Sequence, residues 1–212
     1  MAVQIKICGI TRGEDVDALL RLGVDAMGLN FYHASARNVG VARAAELAAR
    51  AGSGIRKIGV FVNEPADGVR AVAAEVSLDA LQFHGEEEDD YCASFGLPYL
   101  KALRIRSAVS VCELVSRFPS AEGFLLDAYH PNARGGTGIT FDWGLWPRDA
   151  DEIDATFWLA GGLTPDNVGR AIVATQPSGV DVSGGVEGAR AGEKECERMQ
   201  RFVDEVRGVG LG

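Results

Sequence analysis

Two residues in this sequence are suited to moving protons: a cysteine at position 8 and an aspartate at position 127. Cys8 closes the first apolar run, just before Gly9-Ile10-Thr11. A thiol in that place is either a buried packing group or a base. Nearby cations and a helix N-terminus lower a thiol pKa, and a helix is expected to start near Arg12 or Gly13. A thiolate within hydrogen-bond reach of a proton can remove it. Asp127 follows Gly123-Phe124-Leu125-Leu126. Partial desolvation there raises a carboxyl pKa and keeps a proton available for donation. The plain alternative is an aspartate that caps a loop. Arg37 lies in a polar stretch, where it is either solvated or offers its planar fork to a substrate carboxylate. His84 ends another apolar run and is equally suited to ordering a loop.

Three glycine-rich turns complete the set: Gly135-Gly136-Thr137-Gly138, Gly161-Gly162-Leu163 and Ser183-Gly184-Gly185. Glycine lets backbone N–H groups approach an anion with no Cβ in the way. A phosphate group on the ligand is the expectation.

The elements that must position these residues form a repeated pattern. Short, mostly continuous apolar runs cover Val3–Ile7, Ala26–Phe31, Lys57–Val62, Ala80–Phe83, Tyr99–Leu103, Gly123–Leu126, Thr156–Ala160 and Gly179–Val182. Such runs suit parallel strands buried on both faces. Between them lie helix-like stretches at Glu14–Leu22, Ala42–Ala51, Glu86–Phe95, Ser107–Phe118, Val168–Ala174 and Glu193–Val206. Another helix opens at Pro65, and Thr164-Pro165-Asp166-Asn167 reads as an N-cap followed by proline. Phe141–Trp146 is too short for a full helix, so the sixth crossover helix is expected to be shortened, and 148–154 reads as a polar loop. Alternating strands and helices call for right-handed crossovers and a parallel sheet. Eight units with no GxGxxG fingerprint after the first strand favour an α/β fold of the closed (β/α)8 TIM barrel type over an open doubly wound sheet. Residues 1–212 are expected to form one catalytic domain.

In that barrel the C-terminal strand ends form the mouth where catalytic groups gather. Cys8, Arg37, His84 and Asp127 all fall there, with Asp181 near the end of strand eight. The turns after strands seven and eight occupy the usual phosphate cradle, and a short helix after strand eight would add its dipole.

The chain is 47% hydrophobic and 24% charged, the make-up of a soluble globular domain. Its net charge of −9, with no dense Lys/Arg block, points away from nucleic acid and anionic membranes. The run Glu86–Asp90 reads as the exposed first turn of a helix, where carboxylates complement the dipole. Neither a basic start with a long apolar stretch nor a transmembrane run is seen, so a cytoplasmic location is expected. Cys92, Cys112 and Cys196 have no CxxC or His–Cys spacing, and they read as inert packing residues in helices, with no metal site implied.

Taken together, the motifs resemble the phosphoribosylanthranilate isomerase family of tryptophan biosynthesis. Those that carry the resemblance are Lys6-Ile7-Cys8-Gly9-Ile10-Thr11, Phe31-Tyr32 with Ser35-Ala36-Arg37, Val60-Phe61-Val62-Asn63 and Leu81-Gln82-Phe83-His84-Gly85. It continues through Leu125-Leu126-Asp127-Ala128, Gly135–Gly138 with Phe141-Asp142-Trp143, Leu159–Pro165 and Gly179–Glu187. The resemblance implies a cofactor-free Amadori rearrangement of a small phosphorylated substrate. In it Asp127 is the general acid and Cys8 the general base. It further implies that Arg37 holds the anthranilate carboxylate, that His84 and Asp181 contact or orient the substrate, and that Gly136, Gly161, Gly162, Ser183 and Gly184 bind phosphate. One short acidic barrel is compatible with a monomer.

Two departures stand out. The family usually has Ser-Ser-Gly where this chain has Ser183-Gly184-Gly185, a lost hydroxyl that costs about 1 kcal/mol of phosphate affinity. It commonly has an aromatic residue where this chain has Asn38, which alters the expected wall of the anthranilate pocket. The alternatives are another phosphosugar isomerase or epimerase, and a non-catalytic phosphate-binding barrel. The related histidine-pathway isomerase resembles this chain with an aspartate in place of Cys8. A metal-dependent epimerase wants histidines at several strand ends, and the chain has three in all. A binding barrel needs no acid–base pair.

Overall fold

A computed structural model of the chain describes residues 2–105, 111–128, 143–147 and 155–209. Eight parallel strands close into a barrel in sequence order, with β8 returning to pair with β1. The strands are β1 (Gln4–Cys8), β2 (Ala26–Asn30), β3 (Arg56–Phe61), β4 (Ala80–Phe83), β5 (Tyr99–Ile105), β6 (Gly123–Ala128), β7 (Thr156–Leu159) and β8 (Gly179–Val182). Helices are α1 (Gly13–Leu22), α2 (Val41–Ala51), α3 (Ala66–Glu75), α4 (Asp89–Ala93), α5 (Val111–Arg117), α6 (Val168–Thr175) and α7 (Cys196–Gly208). All eight predicted strands are present, most of them shifted by one or two residues.

Alternation along each strand sorts side chains into two cores. Outward residues such as Ile7, Leu29, Phe83, Phe124, Leu126 and Val180 pack under the helices. Inward residues Ala26, Ile58, Ala80, Leu100, Ala102, Leu125, Trp158 and Ala160 fill the barrel. Large and small side chains are matched there: a Cβ at Gly179 would lie 2.5 Å from the Trp158 ring. This apolar plug occupies the lower layers, so polar inward residues collect at the mouth.

Several expectations need correction. α4 is only Asp89–Ala93, because the chain before it is held as a loop by Glu87. That carboxylate is buried, accepts from the backbone of Asn63 at 2.6 Å and Gly85 at 2.9 Å, and pairs with Lys101 at 2.8 Å. The acidic run is therefore not one exposed helical turn. Pro65 is the N-cap of α3, one residue before the helix. The N-cap of α6 is Asn167, whose Oδ1 instead accepts from Thr164 N at 2.8 Å and closes the turn. α7 begins at Cys196, which is exposed and so is no packing residue; Cys92 is buried. Of the sixth crossover, residues 143–147 are described, with one 3-10 turn at Trp143–Leu145. Gly135–Gly138, Phe141, Asp142, residues 148–154 and the Cys112 side chain lie outside the described residues. No described helix is long and apolar enough to cross a membrane.

Candidate active site

Inward-facing positions at the upper strand ends surround one cavity of about 480 Å³. Cys8 from β1, His84 from the end of β4, Arg104 from β5, Asp127 from β6 and Asp181 from β8 all line it. So do Arg37, Gly161, Gly162, Ser183 and Gly184 from the loops. The described site residues expected from the sequence thus converge on one space, while Gly136 lies outside the described residues. Asn38 does not line the cavity. Its amide turns back to the Asn30 carbonyl at 3.4 Å, and Tyr32 forms part of that wall.

Cys8 gets its room from its neighbour. In register with it on β2 is Gly28, where a Cβ would sit 2.6 Å from the Cys8 sulfur. The chain then leaves the barrel sharply: Gly9 has φ +75°, and a Cβ there would press 2.6 Å from Arg37 Cδ. A substitution at Gly9 therefore strains the turn and pushes on the Arg37 side chain.

The electrostatics of Cys8 differ from the sequence expectation. Burial pushes its thiol above the ordinary value, and the cations Lys6 and Lys194 only partly oppose this. α1 starts at Gly13, as the sequence predicts. Lys6, fully buried one strand step below Cys8, donates to Asp181 Oδ1 at 2.9 Å. Lys6 and Asp181 are partners across the β1–β8 seam.

Asp127 is buried, with His84 Nε2 3.3 Å from its Oδ2. The approach is close but lacks hydrogen-bond geometry, leaving Nε2 without a partner. On the other ring edge, Gln82 Nε2 lies 3.5 Å from His84 Nδ1. Gln82 Oε1 is also buried without a partner. Arg104, in register with Asp127, donates to the His84 carbonyl at 3.3 Å. β5 runs two residues beyond its predicted end, and this extension carries Arg104 into the mouth.

Arg37 is not solvated. Its Nε and Nη2 clasp Glu187 at 2.7 and 2.6 Å. Glu187 also accepts from Lys194 Nζ at 2.8 Å and Gly192 N at 2.9 Å. Four donors on one buried carboxylate fix the guanidinium plane, with Nη1 left outside the clasp. Burial raises the Glu187 pKa, but Arg37 and Lys194 outweigh it and hold it at about 2. Its folded pKa is depressed, so its stabilisation is present above the ordinary value of 4.5 and is lost as pH falls toward 2. The expected size is on the order of 2 kcal/mol, discounted for water in the cavity. Urea unfolding of wild type and Glu187→Gln should therefore differ most near neutrality and converge on acidification. Parallel pH curves for the two proteins would remove this role.

The last two loops are built as one wall. Gly161 and Gly162 have φ +88° and +65°. Gly185 packs on the Leu163 carbonyl so closely that no Cβ fits. Asn167 Nδ2 ties the Gly162 carbonyl at 2.9 Å, and Ser183 Oγ donates to the Cys8 carbonyl at 2.9 Å. After β8 comes a single 3-10 turn, Gly184–Val186, in place of a helix long enough to carry a dipole.

Lys6, Gln82, Arg104, Glu187 and Lys194 were not singled out from the sequence. Lys6 had a signal: a charge in an otherwise apolar strand, two residues before Cys8 and hence on its face. Glu187 closes the last motif quoted above, but nothing in the sequence pairs it with Arg37, 150 residues away, or marks Lys194 as its second partner.

The sequence and the fold have known relatives. The family model described as N-(5'phosphoribosyl)anthranilate (PRA) isomerase matches residues 5–205. The N-(5'-phosphoribosyl)anthranilate isomerase of Cellvibrio japonicus is 47% identical over 202 residues, which is 95% of this chain and 92% of that protein. The crystal structure of phosphoribosyl anthranilate isomerase from Thermotoga maritima superposes with a TM-score of 0.87 at 34% identity, covering 97% of this chain and 99% of that one. A phosphoribosyl anthranilate isomerase solved in complex with reduced 1-(o-carboxyphenylamino)-1-deoxyribulose 5-phosphate gives 0.82 at 31% identity, with the same coverage. With that match running almost end to end, this chain belongs to the N-(5'-phosphoribosyl)anthranilate isomerase family.

Proposed function

We propose that this chain isomerises N-(5'-phosphoribosyl)anthranilate to 1-(2-carboxyphenylamino)-1-deoxyribulose 5-phosphate in tryptophan biosynthesis, with Asp127 as general acid and Cys8 as general base. The carrying observation is that Cys8, Asp127, Arg37 and the Gly161–Gly162 and Ser183–Gly184 loops all line one cavity. A substrate that carries both a carboxylate and a phosphate suits that set of groups. The related structure that holds a reduced product analogue supports the same ligand class.

In this reading Asp127 gives its proton to the ribose ring oxygen. The C1′–O bond breaks, and the anthranilate nitrogen lone pair forms the C=N bond of a protonated Schiff base. The Cys8 thiolate then takes the C2′ proton, and the C–H electrons move toward the cationic nitrogen to give an enolamine. Protonation at C1′ and loss of the enol proton yield the ketone. Arg37 holds the carboxylate, and His84 and Asp181 orient the substrate.

The test is direct. Purified protein and freshly generated phosphoribosylanthranilate should lose anthranilate-derivative fluorescence in the presence of EDTA. Absence of turnover, or strict dependence on added metal, would overturn the proposal.

A further inference from the structure

We propose that Lys6 is a positioning residue for proton transfer at Cys8, its buried ammonium set on the same inward face of β1 as the thiol and anchored there by the Asp181 carboxylate. The inference rests on the reading of Cys8 as the base.

The geometry comes from strand alternation and barrel closure. Lys6 and Cys8 are two residues apart on β1, so both point inward. Asp181 is the register partner of Lys6 on β8. Lys6 has no solvent exposure, its Nζ donates to Asp181 Oδ1 at 2.9 Å, and its charge acts on the Cys8 thiol beside it. A lysine sunk among barrel residues is costly to desolvate, and a purely packing role is met more cheaply by an apolar residue.

The chemistry gives the lysine its use. A base that takes a carbon-bound proton must first be a thiolate, and the barrel interior disfavours that anion. The charged groups facing Cys8 are Lys6 from β1, Asp181 from β8, Lys194 ahead of α7 and Arg37 after β2. Lys194 and Arg37 are both bound to Glu187. Asp181 opposes the thiolate. Lys6 therefore supplies the cation that shares the inward face of β1 with the thiol, while Asp181 keeps Lys6 protonated and in place. In the transfer step the S–H bond forms as the C2′–H bond breaks, and no further reactant is needed. The ammonium keeps its proton throughout, so Lys6 acts through Cys8.

The experiment compares proteins that differ only in this charge. Lys6→Met alone strands the Asp181 carboxylate and risks misfolding. The informative pair is Asp181→Asn against Lys6→Met/Asp181→Asn, which leaves no buried anion behind. Thiolate ultraviolet absorbance, corrected with Cys8→Ser in the same background, gives the Cys8 titration directly. The titration should move to higher pH in the double variant. Its kcat/KM near neutrality should fall about tenfold or more below that of Asp181→Asn, and the gap should narrow as pH rises. Superimposed titrations, or a gap independent of pH, would overturn the proposal and leave Lys6 a structural ion-pair partner. A Cys8→Ser protein as active as wild type would instead sink the base reading on which the proposal stands.

Discussion

Cys8→Ser should turn over at least about 100-fold more slowly than wild type, with KM little changed and the fold intact. The factor is the low end of what positioned acid–base groups contribute. Serine fits the space that Gly28 leaves open, so packing is kept. A hydroxyl is a far weaker acid than a thiol, and no cation at this site makes a buried alkoxide accessible. The loss therefore belongs in kcat, since the proton is taken only in the transition state. The pH dependence follows from the sign of the thiol's shift. Burial raises the Cys8 pKa above its ordinary value, so the thiolate fraction grows as pH rises. The wild-type kcat/KM should climb through the neutral and mildly alkaline range. Steady-state kinetics of both proteins against pH check this, and a wild-type rate in Cys8→Ser would show that the base is another group.

Asp127→Asn should lose at least about 100-fold in kcat by a different route. The amide matches the carboxyl in shape, so the contact with His84 and the strand register with Arg104 should persist. An amide has no acidic proton to give to the ring oxygen. Ring opening then proceeds without an acid, and the substrate should still bind. Equilibrium binding of a reduced product analogue would separate the effects. Affinity within a few-fold of wild type, together with the lost rate, is the expected result. A variant that turns over normally would mean the ring oxygen takes its proton elsewhere, with His84 the nearest alternative.

Much of this site was legible in the sequence because barrel chemistry is tied to strand ends. Once eight apolar runs were placed, Cys8, Arg37, His84, Asp127 and Asp181 fell at one mouth. Alternation even placed Leu125 and Asp127 on the same inward face. Glu87 was misread because a run of five acidic residues looks solvated, and nothing local announces Lys101 fourteen residues away. Arg104 was missed because the end of an apolar run does not mark where β5 stops pairing with β6.

What the sequence by itself determined is the order of the strands, the inward or outward facing of their residues, and hence which side chains share the mouth. These follow from local periodicity and right-handed crossovers, which act over a few tens of residues. What only the tertiary structure decided is the state of those side chains. Lys6 meets Asp181 across 175 residues, and Arg37 meets Glu187 across 150. Both contacts exist because β8 closes onto β1. Charge interactions depend on distance and desolvation, and neither is written along the chain. So the sequence pointed to Cys8 as a base with a lowered pKa. The closed barrel makes it a buried thiol whose pKa is raised, with the Lys6 ammonium on the same inward face.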